Sequence, residues 1–117
     1  PNLPPQPLLK FLLSKLFLGL YFMSAYLIGE ITVLDPAGYE KYRDKVGSSL
    51  ASYGAKFLVR AGSIEIFEGE WEPKRLVMCE FPDMETIRMW YASDEYQEVK
   101  KLRDNTAAFN LVSVNGI

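Results

Sequence analysis

SAYLIGEITVLDPAGYEKY, residues 24–42, decides the reading of the whole chain. Its first half is β-branched and alternates: Ala25, Leu27, Gly29, Ile31 and Val33 share one face of a strand, and Tyr26, Ile28, Glu30 and Thr32 share the other. At Asp35-Pro36 the period changes. Asp35 can cap a helix and Pro36 suits its first turn. Tyr39, Tyr42, Val46, Leu50 and Tyr53 then recur every three or four residues, as one helix face requires, and Gly54 supplies a stop.

Working outward, KFLVRAGSIEIFEGEW, residues 56–71, reads as a strand broken at Ala61-Gly62 and followed by an extra hairpin arm. After the turn signal Glu72-Pro73 comes a third strand, KRLVMCEF. Pro82-Asp83 opens a short helical run, METIRMWY, and Ser93 with Asp94 and Glu95 reads as a second N-cap leading into EYQEVKKLRDNT. AFNLVSVNGI closes the chain as a strand. The order is βαββαβ, an α+β ferredoxin-like protomer.

Parity along the strands places Phe57, Val59, Val77, Cys79 and Phe81 with the helix side. The opposite face carries Tyr26, Ile28, Glu30, Leu58, Arg60, Leu76, Met78, Glu80, Val112 and Val114. That face is too apolar for water, and both helices of a βαββαβ unit lie on the other side. A second subunit's sheet is the expected cover, which makes a homodimer and a dimeric α+β barrel, with higher assemblies left open. A chain of 117 residues, 49% hydrophobic, is one domain and small enough to benefit from such a partner.

Composition excludes several chemistries. There is no histidine, so Ser-His-Asp and Cys-His catalysis are ruled out, and with one cysteine a zinc site is not expected. No phosphate loop or dinucleotide fingerprint occurs, and no cofactor is implied. A net charge of −2 without a basic stripe argues against nucleic acid. Cys79, in an apolar run, reads as an inert buried thiol, and the lack of any intrachain disulfide fits a reducing cytoplasm.

Residues 1–22 differ from the rest: a proline-rich PNLPPQP, then an apolar run of about 15 residues interrupted by Lys10 and Lys15, short of the roughly 20 that span a bilayer. Three readings stand: an extension with Met23 as native start, a terminal helix packed on a neighbour, or a membrane-surface helix. A spanning segment is not expected.

The charged residues on the uncovered face invite two accounts. Glu30, Arg60 and Glu80 can pair with one another or reach the rim; alternatively Arg60 holds an anion while Glu80 or Glu30 moves a proton. Antiparallel neighbours put Glu80 toward the opposite end from Glu30 and Arg60, so the three are not expected to form one site. In WYASDEYQ, residues 90–97, most aromatics read as core, with Met84, Ile87, Trp90 or Tyr91, and then Tyr96, Val99 and Leu102 turned to the sheet. Arg103 lies near that face and can reach a carboxylate or a ligand anion.

Taken together, EFPDMETIRMWYASDEYQEVKKLR, the terminal VSVNGI, AYLIGEITVLDPAGYEKY and GAKFLVRAG resemble the domain of unknown function 1330 family of the dimeric α+β barrel superfamily, over about residues 23–117. The resemblance implies a homodimer with a small-molecule cleft and no established reaction. The positions that carry over are Tyr42, Arg60, Glu80, Trp90, Tyr91, Ser93, Tyr96 and Arg103. Ala61-Gly62 stands where such families usually show Gly-Gly. The leading expectation is a small anionic or aromatic metabolite in a cleft lined by Arg60, Tyr42, Trp90 and Tyr96, with cofactor-independent acid–base chemistry by Glu80 or Glu30 open. The alternative is a non-catalytic ligand sensor or interaction module.

Overall fold

The computed structural model describes residues 23–117 and, before them, Leu9, Lys10 and Leu13, which are helical. The remaining expectations for residues 1–22 lie outside the described residues. The elements are β1 (Ala25–Val33), α1 (Pro36–Ala51), β2 (Lys56–Arg60), β3 (Leu76–Phe81), α2 (Met84–Ala92), α3 (Asp94–Lys100), a 3-10 turn (Lys101–Arg103) and β4 (Ala107–Asn115). The strands form one antiparallel sheet in the order β2-β3-β1-β4. This is the ferredoxin-like α+β protomer that the element order predicts. No helix among the described residues is long and apolar enough to cross a membrane.

The helix starts are fixed by short side chains. Asp35 accepts from the Gly38 amide at 3.2 Å with Pro36 beside it. A Cβ on Gly38 would lie 2.5 Å from the Asp35 carboxylate and 2.7 Å from the Thr106 methyl, so this turn closes only around glycine. Asp83 accepts from the Thr86 amide at 2.9 Å and its hydroxyl at 2.6 Å, starting α2. Ser93 separates α2 from α3: its Oγ donates to the Trp90 carbonyl (2.6 Å) and accepts from the Tyr96 amide (3.1 Å). Asp94 and Glu95 behind it suit the positive end of the α3 dipole.

The core lies between helices and sheet. From α1 and its end come Tyr39, Tyr42, Val46, Leu50 and Tyr53, the stripe set by the sequence spacing; from the sheet come Ala25, Leu27, Ile31, Cys79 and Phe81. Ile87, Trp90 and Tyr96 join them, whereas Tyr91 stays 40% exposed, which settles which of the two adjacent aromatics faces the sheet.

Two expectations are corrected. Parity fails in β2 because of a β-bulge: Phe57 pairs with Cys79, but Val59 pairs with Met78 and Arg60 with Val77, leaving Leu58 as the extra residue. Cross-strand partners share a face, so Val59 moves to the uncovered side and Arg60 to the helix side. The extra hairpin arm does not form either. No strand occurs between Arg60 and Leu76. That arm leaves β2 through Ala61, at φ 59°, a backbone region that favours glycine, and exposes Phe67 and Trp71.

Candidate functional site

A cavity lies between α1 and the sheet, with a volume of about 50 Å³. This holds a few water-sized spheres at roughly 10–15 Å³ each, or part of a small ring. Its floor is Leu27, Ile31, Val77, Cys79 and Leu111, and its roof is Tyr39, Tyr42, Val46 and Leu50. Phe57 and Phe109 flank it, and Trp90 contributes to the wall. Gly29 lies in the middle of β1 on the same side. A Cβ there would sit 3.2 Å from a Leu111 methyl, so the missing side chain leaves part of the cavity open.

The lining becomes cationic toward solvent, with Arg43, Arg60 and Arg75. The bulge aims Arg60 inward. Its guanidinium stacks 4.2 Å from the Phe57 ring centre, and Nη2 donates to the Arg43 carbonyl at 2.8 Å. The Arg75 guanidinium lies 5.6 Å from the Tyr39 ring centre. Burial shifts the lining thiol and phenols in one direction, upward. Burial pushes the Cys79 thiol up to about 11 against the pull of Arg60, so it stays protonated and unreactive. Burial likewise raises the Tyr42 phenol, helped by the charge of a neighbouring Tyr96, and raises Tyr39 against the fields of Arg75, Arg60, Arg43 and Arg103.

Behind the wall sits a buried aromatic block. Tyr42 and Tyr96 share a hydroxyl hydrogen bond of 3.1 Å, the Tyr96 ring lies 4.0 Å from that of Trp90, and the Trp90 indole donates to Ser49 Oγ at 3.1 Å. Arg103 lies over Phe109 at 3.8 Å and near Tyr42 at 5.7 Å, and its Nη1 is buried without a hydrogen-bond partner among the described residues. It braces two wall residues from outside.

Of the residues singled out in the sequence, the structure brings Arg60, Tyr42 and Trp90 into the cavity lining. Tyr96 is fully buried one layer back, Ser93 caps α3, and Tyr91 lies on the outer side of α2 toward β4, beside Ile87 and Val112. Glu80 and Glu30 stand on the uncovered face. Glu80 accepts from the Tyr26 hydroxyl (3.2 Å) and pairs with Lys56 (3.2 Å); Glu30 accepts from the Trp71 indole (2.7 Å) and from Asn110 (3.2 Å). Register sets Glu80 beside Tyr26 and Leu76 beside Glu30, four residues along β1, so the carboxylates are about 13 Å apart along the strand. They do not form one site. Sequence reading missed Tyr39, Arg43, Arg75 and Phe57 as wall and rim residues. Gly29 within a covered strand was the signal that pointed there. Among the described residues no group of three His, Cys, Asp or Glu could hold a metal ion.

Fold and cavity define a ferredoxin-like α+β protomer with an aromatic-walled cavity under its first helix. The chain belongs to the family called Domain of unknown function (DUF1330), whose model matches residues 24–117. Among solved structures it is similar to the RPA0582 protein of unknown function from Rhodopseudomonas palustris, at 12% identity and a TM-score of 0.66, covering 92% of this chain and 93% of that one. It is also similar to SnoaB, a cofactor-independent oxygenase from Streptomyces nogalater, at 11% identity and a TM-score of 0.60, covering 81% and 94%. A Bacteroides thetaiotaomicron protein of unknown function, described as a possible oxidoreductase, follows at 13% identity and a TM-score of 0.51, covering 80% and 98%. At such identities the likeness is one of fold. No curated protein matches the sequence.

Proposed function

We propose that the protein is a homodimer that binds a small aromatic or apolar acid in the cavity between α1 and the sheet. The observation that carries this reading is an apolar, aromatic-walled cavity opening on arginines that have no carboxylate partner among the described residues. The ligand body sits against Tyr42, Phe57 and Trp90 with its acid on Arg60, the residue the bulge turns inward. Tyr96, Arg103 and Ser93 support the wall rather than touch the ligand. Carboxylate acid–base chemistry is not part of this reading, since Glu30 and Glu80 are each engaged on the far side of the sheet.

The uncovered face supports the dimer. Leu58, Val112 and Val114 are each about half exposed, at 48%, 60% and 48%, and rows such as Ile28 with Met78 and Val112 run across three strands. A second copy's sheet, placed face to face, covers such a surface.

The test is a thermal-shift series of small aromatic acids on the wild type and Gly29→Val, whose added methyls fill the cavity floor. Acids that bind raise the wild-type melting temperature by mass action. The variant is expected to be folded and unresponsive, and an equal response from both proteins would contradict the assignment. The fold shared with a cofactor-independent oxygenase makes dioxygen uptake with each acid that binds the first turnover to assay.

A further inference from the structure

Arg43, Arg60 and Arg75 reach the same opening from three separate places: the middle of α1, the end of β2 and the residue before β3. Arg75 alternates with Val77 and Cys79 and so shares their side of the sheet, where the bulge also puts Arg60, opposite Val77. The chain has fifteen carboxylates for its thirteen lysines and arginines, enough to neutralise this cluster. None is used there. The ion pairs among the described residues are Lys56–Glu80, Arg88–Glu85 and Lys101–Glu98, and residues 1–22 contain no Asp or Glu. Like charges gathered at one mouth repel one another, an arrangement that favours an anion arriving from outside.

The number of guanidinium groups bears on the charge of that anion. Arg60 is already held by the Phe57 ring and the Arg43 carbonyl, which leaves the rest of its fork free. A monoanion on Arg60 alone would leave Arg75 and Arg43 unneutralised. A head with two negative charges and several oxygens engages the Arg60 and Arg75 forks together and meets Arg43 from the helix side, the geometry to which guanidinium groups are suited. The Tyr39 hydroxyl, kept protonated by burial, stands within the field of all three and can add a neutral donor. The cavity of about 50 Å³ limits the body behind the head to a single ring or a short chain.

We propose that the site takes a small ligand with a dianionic head, either a phosphate monoester or a pair of neighbouring carboxylates, clamped by Arg43, Arg60 and Arg75, with its apolar body between Phe57 and Tyr42. This rests on the reading of the cavity as a ligand site and specifies the ligand's charge. It assigns Arg43 and Arg75, together with Arg60, to recognition of the head.

The experiment is titration of the full chain with phenyl phosphate, phthalate, benzoate, benzyl alcohol and inorganic phosphate, following heat and the fluorescence of its two tryptophans, Trp71 and Trp90. At neutral pH at least one of the first two is expected to bind at least about tenfold more tightly than benzoate, and which one does so identifies the head. In Arg75→Gln and Arg43→Gln the advantage should shrink to within about threefold, with circular dichroism unchanged; Arg43, exposed on a helix, serves if Arg75→Gln does not fold. If phenyl phosphate is the tight ligand, its advantage should also fade below pH about 6, where a phosphate monoester loses its second charge. Benzoate or benzyl alcohol binding as tightly as the dianions would overturn the proposal and leave the cavity reading standing. Inorganic phosphate binding as tightly as phenyl phosphate would show that no ring is seated and would also overturn it. No response to any compound would remove both readings.

Discussion

The two faces of the sheet solve the same problem in opposite ways. On the helix side the strands carry Leu27, Ile31, Cys79 and Phe81 under a close-packed aromatic layer, yet the charges at its margin, Arg43, Arg60 and Arg75, have no anionic partner among the described residues. On the uncovered side the packing is missing but the charges are met: Glu80 by Lys56 and Tyr26, Glu30 by Trp71 and Asn110. A face whose polar groups are satisfied and whose apolar groups are not is suited to a protein partner. A face with the reverse deficit is suited to a small anion. The contrast is what leads us to propose the dimer on one side and the ligand on the other.

The contrast breaks most severely at Trp90, which is 1% exposed, stacked on Tyr96 and bonded to Ser49. Trp90→Ala should cost about 3–5 kcal/mol in urea unfolding, with the cavity lost. On the other face, Val112→Glu should raise the dimer dissociation constant by at least about a hundredfold, roughly 2.8 kcal/mol, measured by sedimentation, while leaving the monomer folded. Tyr42→Phe leaves the buried Tyr96 hydroxyl without its 3.1 Å partner and should cost about 1–2 kcal/mol. The smallest effect falls where the two faces meet, after the bulge. Ala61→Gly relieves a non-glycine residue at φ 59° and should stabilise by about 0.5–1 kcal/mol, with little change in ligand affinity.

The sequence made most of this scaffold legible because its signals are local. Asp35-Pro36 and Ser93 name their caps outright, and the Tyr39–Tyr53 stripe has one period and one consequence. Strand faces followed from alternation wherever the ladder is regular, in β1 and β3. Alternation failed in β2, where Leu58 and Val59 are adjacent and both apolar, so nothing in the pattern marks which residue the ladder skips. That single residue carried Arg60 to the wrong face. The arm after Ala61 alternates like a strand but pairs with no strand among the described residues, since alternation reports a face and not a neighbour. The rim was illegible for a different reason: Arg43, Arg60 and Arg75 converge only in the folded chain.

The central claim is that ligand recognition belongs to the helix side, through the arginine that the bulge turns inward. The most direct measurement is the shift in melting temperature caused by a bound aromatic acid, compared in wild type, Arg60→Ala and Glu80→Gln. The account predicts that Arg60→Ala abolishes the shift and that Glu80→Gln retains it. A shift that survives in Arg60→Ala and vanishes in Glu80→Gln would put the site on the uncovered face and contradict the account.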